Sequence, residues 1–399
     1  MANRAVTLDD YRAVAPRGAV DVLLRIGERL RGRRVAHVSA SRYSGGFVEV
    51  LNRLVPTQNE LGIDTGWEIV VGDAQFDAVA QAVATALGGT EQVVTDAMLE
   101  HLLATCVENA ARLPLEADLV VVHESAPLLL VDGRPASGSW VWRCHGDVSA
   151  PQHQVWSFLR RFLARYNGTV VSLARFAPSL SIPRYLIHPS IDPLSDRNRD
   201  LPRVEQAERL ARLRVPRDKP FLLQVGPFTR TQDPLGVVNA YRLVKKHHDV
   251  RLVLAGPALE PNSAVFDEVV AAADGDADVI PVALPPDTQG DINALERAAS
   301  IIVQKPLRAD FGLDVASAMW KGKPVVGSTA GGIPAQIVSG VTGYTVETVQ
   351  GAAFRLRHLL SNPELIGRMG AAGREHVRRH FLVTRHIGAY LALLAQLTK

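Results

Sequence analysis

Apolar positions follow two rhythms along the chain. Short runs such as Val35-Ala36-His37-Val38, Trp67-Glu68-Ile69-Val70-Val71, Leu119-Val120-Val121-Val122, Trp140-Val141-Trp142, Thr169-Val170-Val171 and Val279-Ile280-Pro281-Val282 have the length of buried strands. Phe221-Leu222-Leu223-Gln224-Val225, Arg251-Leu252-Val253-Leu254, Ile301-Ile302-Val303-Gln304 and Pro324-Val325-Val326-Gly327 repeat that pattern in the second half. Between the runs, apolar residues recur at three and four: Ala19, Val22, Leu23 and Ile26; Trp156, Phe158, Leu159 and Phe162; Val237, Tyr241 and Val244; Val315, Ala318 and Met319. A charged helix is predicted from Arg197 to about Arg214, and 363–399 reads as helical. Strands alternating with helices predict parallel sheets joined by right-handed crossovers.

One crossover organises the rest. Ile301–Gln304 leads into the loop 305–313, then a short helix stopped by Gly322, then Pro324–Gly327. The loop lies at the carboxyl end of its strand, where open α/β sheets bind ligands. The first N–H groups of the following helix favour an anion there.

Composition narrows the classes. A chain of 399 residues has room for two domains with separate cores, and 47% apolar with 21% charged residues is ordinary for a globular protein. A formal charge of +3 does not favour a nucleic-acid partner. Two cysteines, Cys106 and Cys144, suit a reducing compartment and make no zinc-type spacing with histidine, so no metal is expected. The start, Met1-Ala2-Asn3-Arg4, lacks an apolar signal core, and no apolar run approaches ~18 residues, so a cytoplasmic protein without a membrane span is expected.

Several turns carry candidate chemistry. Gly45 and Gly46 follow the first strand, where glycines let backbone N–H groups approach a phosphate or sugar. His123-Glu124 and His145-Gly146-Asp147 end two further strands. Arg230 and Gln232 lie in the turn after Val225, and Gly331-Gly332 and Gly340–Gly343 mark later loops.

These residues carry a resemblance to the retaining glycosyltransferases of GT-B fold. It is nearest to the trehalose synthases that transfer glucose from a nucleotide sugar to free glucose. Trp142-Arg143-Cys144-His145, Pro189-Ser190-Ile191-Asp192-Pro193-Leu194, Phe311-Gly312-Leu313 and Met319-Trp320-Lys321-Gly322-Lys323-Pro324 match that family, and the likeness runs from Ser39 to about Leu394. The resemblance implies an α/β chain of two Rossmann-like domains facing a central cleft. Residues 1–195 would form the acceptor-side domain, 196–383 the nucleotide-sugar domain, and 384–399 a helix crossing back to the first.

The resemblance also implies site roles. His145 and Asp310 are the catalytic candidates. Gly45, Gly46, Arg230, Gln232, Phe311, Gly312, Leu313 and Ser317 would bind the donor, and His123, Glu124 and Asp147 would face the acceptor. No cofactor is expected beyond a nucleoside diphosphate sugar as substrate, and a homodimer is the expected assembly. The family carries glutamates at two positions occupied here by Ala309 and Ser317, and an arginine and a lysine where this chain has Pro227 and Gln232. Charge develops on the departing diphosphate as the glycosidic bond breaks, so two missing cations weaken its stabilisation. The expected activity is therefore transfer of a sugar or sugar-like group other than ordinary trehalose synthesis. A non-catalytic sugar- or nucleotide-binding relative and a phosphorylase using sugar phosphate are the alternatives.

Overall fold

The computed structural model describes residues 6–42, 47–177, 180–258, 263–285 and 288–398. Two units share the chain: 1–190 together with 383–399, and 191–382. The first contains α1 (Ala19–Leu30), β1 (Arg34–Ser39), α2 (Val48–Glu60), β2 (Asp64–Ile69), α3 (Ala74–Leu87), α4 (Asp96–Ala110), β3 (Leu119–His123), β4 (Ser139–Cys144), α5 (His153–Leu163), β5 (Gly168–Val171) and β6 (Arg184–Leu186). Its strands are parallel, in the order β2-β1-β3-β4-β5-β6.

Period-two alternation gives this sheet two different faces. Ala36, Val38, Val120, Val122, Trp140, Trp142 and Cys144 enter an apolar core with residues of α3, α4 and α5. The alternate positions are His37, His123, Arg143 and, just past β4, His145. Of these, His37, His123 and Arg143 are buried and His145 half-buried. Cys106 and Cys144 are both buried free thiols.

The second unit runs α6 (Arg203–Arg212), β7 (Phe221–Val225), α7 (Pro234–Lys245), β8 (Arg251–Gly256), α8 (Ser263–Ala273), β9 (Val279–Ala283), α9 (Gln289–Ala298), β10 (Ile301–Gln304), α10 (Leu313–Trp320), β11 (Val325–Ser328), α11 (Ile333–Gln336), β12 (Gly343–Val346), α12 (Val349–Leu360) and α13 (Pro363–His380). Its parallel strands lie in the order β12-β11-β10-β7-β8-β9. The last helix, α14 (Val383–Leu397), returns to the first unit and packs on α1 and α2.

The sequence pattern misplaces some faces and ends. In α1 the buried residues are Val20, Leu23, Gly27 and Leu30, while Val22 is 44% exposed. The stripe is rotated because Gly27 lets Leu61 approach: a Cβ there would lie 2.9 Å from its side chain. The helix expected from Arg197 begins only at Arg203. Asp192 Oδ1 accepts from Leu194 N (2.9 Å), a local turn, and Pro193 and Pro202 restrict the backbone around it. Among the described residues, no helix is long and apolar enough to cross a membrane.

Candidate active site

In the second unit the strand order reverses between β7 and β10, the position at which doubly wound sheets bind ligands. The loops 226–233 and 305–313 both leave the sheet there. They are tied together: Leu307 N donates to Thr231 O (2.7 Å), Gln304 Nε2 to Val225 O (2.8 Å) and Gln224 Nε2 to Gln232 O (2.7 Å).

The loop before α10 is shaped from behind by Gly331 and Gln336. Gly331 has φ +49, and a Cβ on it would lie 1.9 Å from Ala309 O and 2.1 Å from Asp310 O, so only glycine fits. Gly332 N donates to Asp310 O (2.7 Å). Buried Gln336 donates through Nε2 to Phe311 O (2.6 Å) and Gly312 O (3.0 Å), and accepts at Oε1 from Ala316 N (3.1 Å). Gly312, with φ +74, is the N-cap of α10. Leu313 and Asp314 thus open a helix whose positive end faces out of the loop.

The donor-side candidates separate on inspection. Phe311 is buried against Phe381, with ring centroids 6.0 Å apart. Ser317 is buried in α10, its carbonyl accepting from Lys321 Nζ (3.2 Å). Asp310 is exposed. Arg230, expected to be the cation near the turn, is 71% exposed and makes a two-pronged contact with Glu268 (2.6 and 3.2 Å). Gln232 has its side chain beside Gly226. Gly45 and Gly46 lie outside the described residues.

A further cation stands at the switch point and escaped the motif comparison. Lys305, directly after β10, is 5% exposed and paired with Asp233. Asp233 adopts φ +52 and caps α7, its Oδ1 accepting from Gly236 N (3.2 Å). The available signal was position: a lysine one residue past a central strand at its carboxyl end.

Beneath α10 lies a buried ionic cluster. Arg197 Nη2 reaches Glu296 Oε1 and Asp314 Oδ1 (2.8 Å each), and Lys321 Nζ lies 2.8 Å from Glu296 Oε2. Burial pushes the Glu296 carboxyl up, but Arg197 and Lys321 outweigh it and hold it below the usual range. Burial likewise brings the Lys321 ammonium down to about 8, against the pull of Glu296.

The first unit reverses its strand order between β1 and β3, and three histidines meet there. His37 Nδ1 is 3.0 Å from His123 Nε2, and His123 Nδ1 is 2.9 Å from His145 Nε2. His37 Nε2 contacts Gln58 Oε1 (3.3 Å). Phe47 stacks on His145 and His123, at 4.5 and 5.5 Å between centroids. Tyr390 of α14 packs on His37 (5.9 Å) and on His386 (5.1 Å). Burial holds all four imidazoles neutral: His37 is brought down to about 4, and His123, His145 and His386 well below the ordinary value, with Arg143 adding to the last three.

Glu124 adopts φ +66 at the end of β3. Its Oε2 accepts from Ala40 N (3.0 Å) and its carbonyl from Trp142 Nε1 (2.6 Å), bracing the ends of three strands. Burial raises its carboxyl pKa despite the bond from Ala40. Asp147 Oδ1 accepts from Ser149 N (2.9 Å), a turn beyond His145. His37, Gln58 and His386 were missed because they come from distant segments, and each alone looks like an ordinary core polar residue.

Comparison with known proteins agrees with this geometry. Residues 37–178 match the model for the trehalose synthase N-terminal domain, and 205–376 match that for glycosyl transferases group 1. A trehalose synthase of Pyrococcus horikoshii is 35% identical, over 98% of this chain and 96% of its own. One from Rubrobacter xylanophilus is 36% identical, over 98% and 97%. Among solved structures, sucrose-phosphate synthase from Thermosynechococcus elongatus superposes with a TM-score of 0.70 at 17% identity, covering 92% of this chain and 99% of that one. A trehalose-6-phosphate synthase gives 0.71 at 13%, covering 91% and 99%. With two Rossmann-like sheets and these relatives, the chain belongs to the trehalose synthase family of group 1, GT-B glycosyltransferases and is a glycosyl-transferring enzyme.

Proposed function

We propose that the chain transfers a sugar or sugar-like group from a nucleoside diphosphate donor to a small acceptor, and that its donor is not the glucose nucleotide of ordinary trehalose synthesis. The supporting observation is the donor loop. Its framework is complete in Gly331, Gly332, Gln336 and the Gly312 cap, while Ala309 and Ser317 stand at the two positions where the family resemblance implies glutamates. A framework kept around altered contact residues suits a changed sugar, with the diphosphate at the start of α10. Lys305, beside the two loops and paired with Asp233 in the free chain, is the cation offered in place of Pro227 and Gln232. A neighbour solved with UDP and glucose fits a nucleotide-sugar donor. No cofactor or metal is required, since side chains and a helix N-terminus meet the phosphates. The histidine end of the first unit receives the acceptor, with His145, Glu124 and Asp147 nearest.

The test is a panel of nucleoside diphosphate sugars, including amino- and deoxy-sugars, incubated with glucose and other small acceptors and read by mass spectrometry. Product from a non-glucose donor is expected. Turnover near ~1 per second with ADP- or UDP-glucose and glucose would refute the altered donor. Calorimetric binding without product from any pair would point to a non-catalytic binder.

A further inference from the structure

The three hydrogen-bonded histidines of the first unit have no carboxylate among them to set their protons. Among the described residues their ring nitrogens are joined in one line, Gln58, His37, His123, His145. Each nitrogen-to-nitrogen contact needs one proton between two rings. Neutral imidazole carries one N–H and one lone pair, so a chain of neutral rings has only two self-consistent arrangements, all pointing one way or all the other.

Two features select one of them. Gln58 presents Oε1 to His37 Nε2, so His37 donates from Nε2 and its Nδ1 accepts from His123 Nε2. His123 Nδ1 then accepts from His145 Nε2. This order puts all three rings in the Nε2–H form, which is also the intrinsically favoured tautomer of a neutral histidine side chain. The opposite arrangement needs three disfavoured tautomers and a reversed amide. Arg143, buried on the same sheet face, opposes protonation of His123 and His145, so a doubly protonated ring does not scramble the order. Phe47, stacked on His123 and His145, restricts ring rotation.

We propose that Gln58, His37 and His123 form a tautomer relay that leaves His145 with its proton on Nε2 and a bare lone pair on Nδ1, making it an acceptor for a substrate hydroxyl. Gln58, His37 and His123 are positioning residues in this arrangement, and His145 is the group that meets substrate. Only the naming of a substrate hydroxyl rests on the transferase function proposed above. The relay is a property of the free protein. A ring fixed this way accepts a hydrogen bond from a hydroxyl donor and offers nothing to a group that can only accept.

The test is long-range proton–nitrogen correlation of the histidine rings in the full chain, labelled with nitrogen-15 and held at neutral pH. Wild-type protein is expected to show His37, His123 and His145 as single Nε2–H tautomers, each with a pyridine-type Nδ1. Gln58→Met, which keeps the volume and removes the amide, is expected to replace the single His145 signal by an averaged one. A His145 carrying its proton on Nδ1 in the wild type would overturn the relay, as would an unchanged His145 signal in Gln58→Met. Should that variant fail to fold, the wild-type spectrum alone decides. The measurement needs no turnover: an inactive protein with the relay in place counts against the proposed transfer, and an active one with reversed tautomers counts against the relay alone.

Discussion

Lys305 and Arg230 show how one kind of side chain takes two roles. Arg230 pairs with Glu268 in solvent, where an ion pair contributes little and is screened by salt. Lys305 is buried next to Asp233 at the strand reversal, where its charge acts through a lower dielectric. Replacing Lys305 by Met is expected to lower kcat/KM for the true donor by about a hundredfold, the usual scale for removing one pre-organised charge contact. Arg230→Ala should lower it less than about tenfold, a factor worth about 1.4 kcal/mol. Steady-state kinetics on both variants checks the order, and an Arg230 effect larger than that of Lys305 would reverse the assignment. The missing charge at Pro227 and Gln232 is legible in the sequence. The place of Lys305 is not, because the residues that make it relevant, Thr231 and Asp233, lie more than seventy positions away and reach it only in the folded sheet.

At the scale of elements, the donor loop depends on parts that do not belong to it. The sequence located the strand, loop and helix correctly because all three follow from local periodicity and from Gly322. It left Gly331 and Gly332 as turns of uncertain meaning, since a glycine's neighbours across space leave no mark on the residues beside it. Their contacts now give them a purpose: Gly331→Ala would drive a methyl into Ala309 O and Asp310 O at a positive φ. Destabilisation of roughly 1–3 kcal/mol is expected from the backbone strain alone, together with a raised donor KM as the loop shifts. Thermal unfolding and donor titration measure the two effects. A change in stability with unaltered KM would separate the loop's packing from its binding role. The same limit applied to α1, where the rotated stripe followed from Leu61 fitting against Gly27 and not from α1's own residues.

At the scale of the whole molecule, the two units should answer differently to acid. Burial holds His37, His123, His145 and His386 of the first neutral, and in the second it shifts the partly buried His376 in that direction. A histidine with a depressed folded pKa binds fewer protons folded than unfolded, so its contribution is complete above the unfolded value and is lost as pH falls. For His37 the window runs from 6.5 down to about 4. Each such group gives a slope of about 1.4 kcal/mol per pH unit within its window. The first unit is therefore expected to lose stability between pH 6.5 and 4 while the second keeps its structure, held in part by the Glu296 cluster. Of the five tryptophans only Trp320 lies in the second unit, so fluorescence of a chain with the other four replaced by Phe reports on it alone. Acid unfolding of both units at one midpoint would contradict this. The alternation of strands and helices made the two-sheet plan legible in the sequence. The histidine layer was not, because its members come from β1, β3, the end of β4, α2 and α14, and no local rhythm links them.

The return of α14 to the first unit has a consequence for synthesis. Chains commonly fold from the amino end as they leave the ribosome. Here Tyr390 and His386, which close over the His37 layer, are made only after the whole of the second unit. The second unit, 191–382, is fully emerged before them. The half translated later should thus mature first, while the earlier half waits with its polar layer open to water. Chains cut off after residue 382 and carried clear of the ribosomal tunnel by a linker are expected to protect the second unit from protease and leave the first one cleavable.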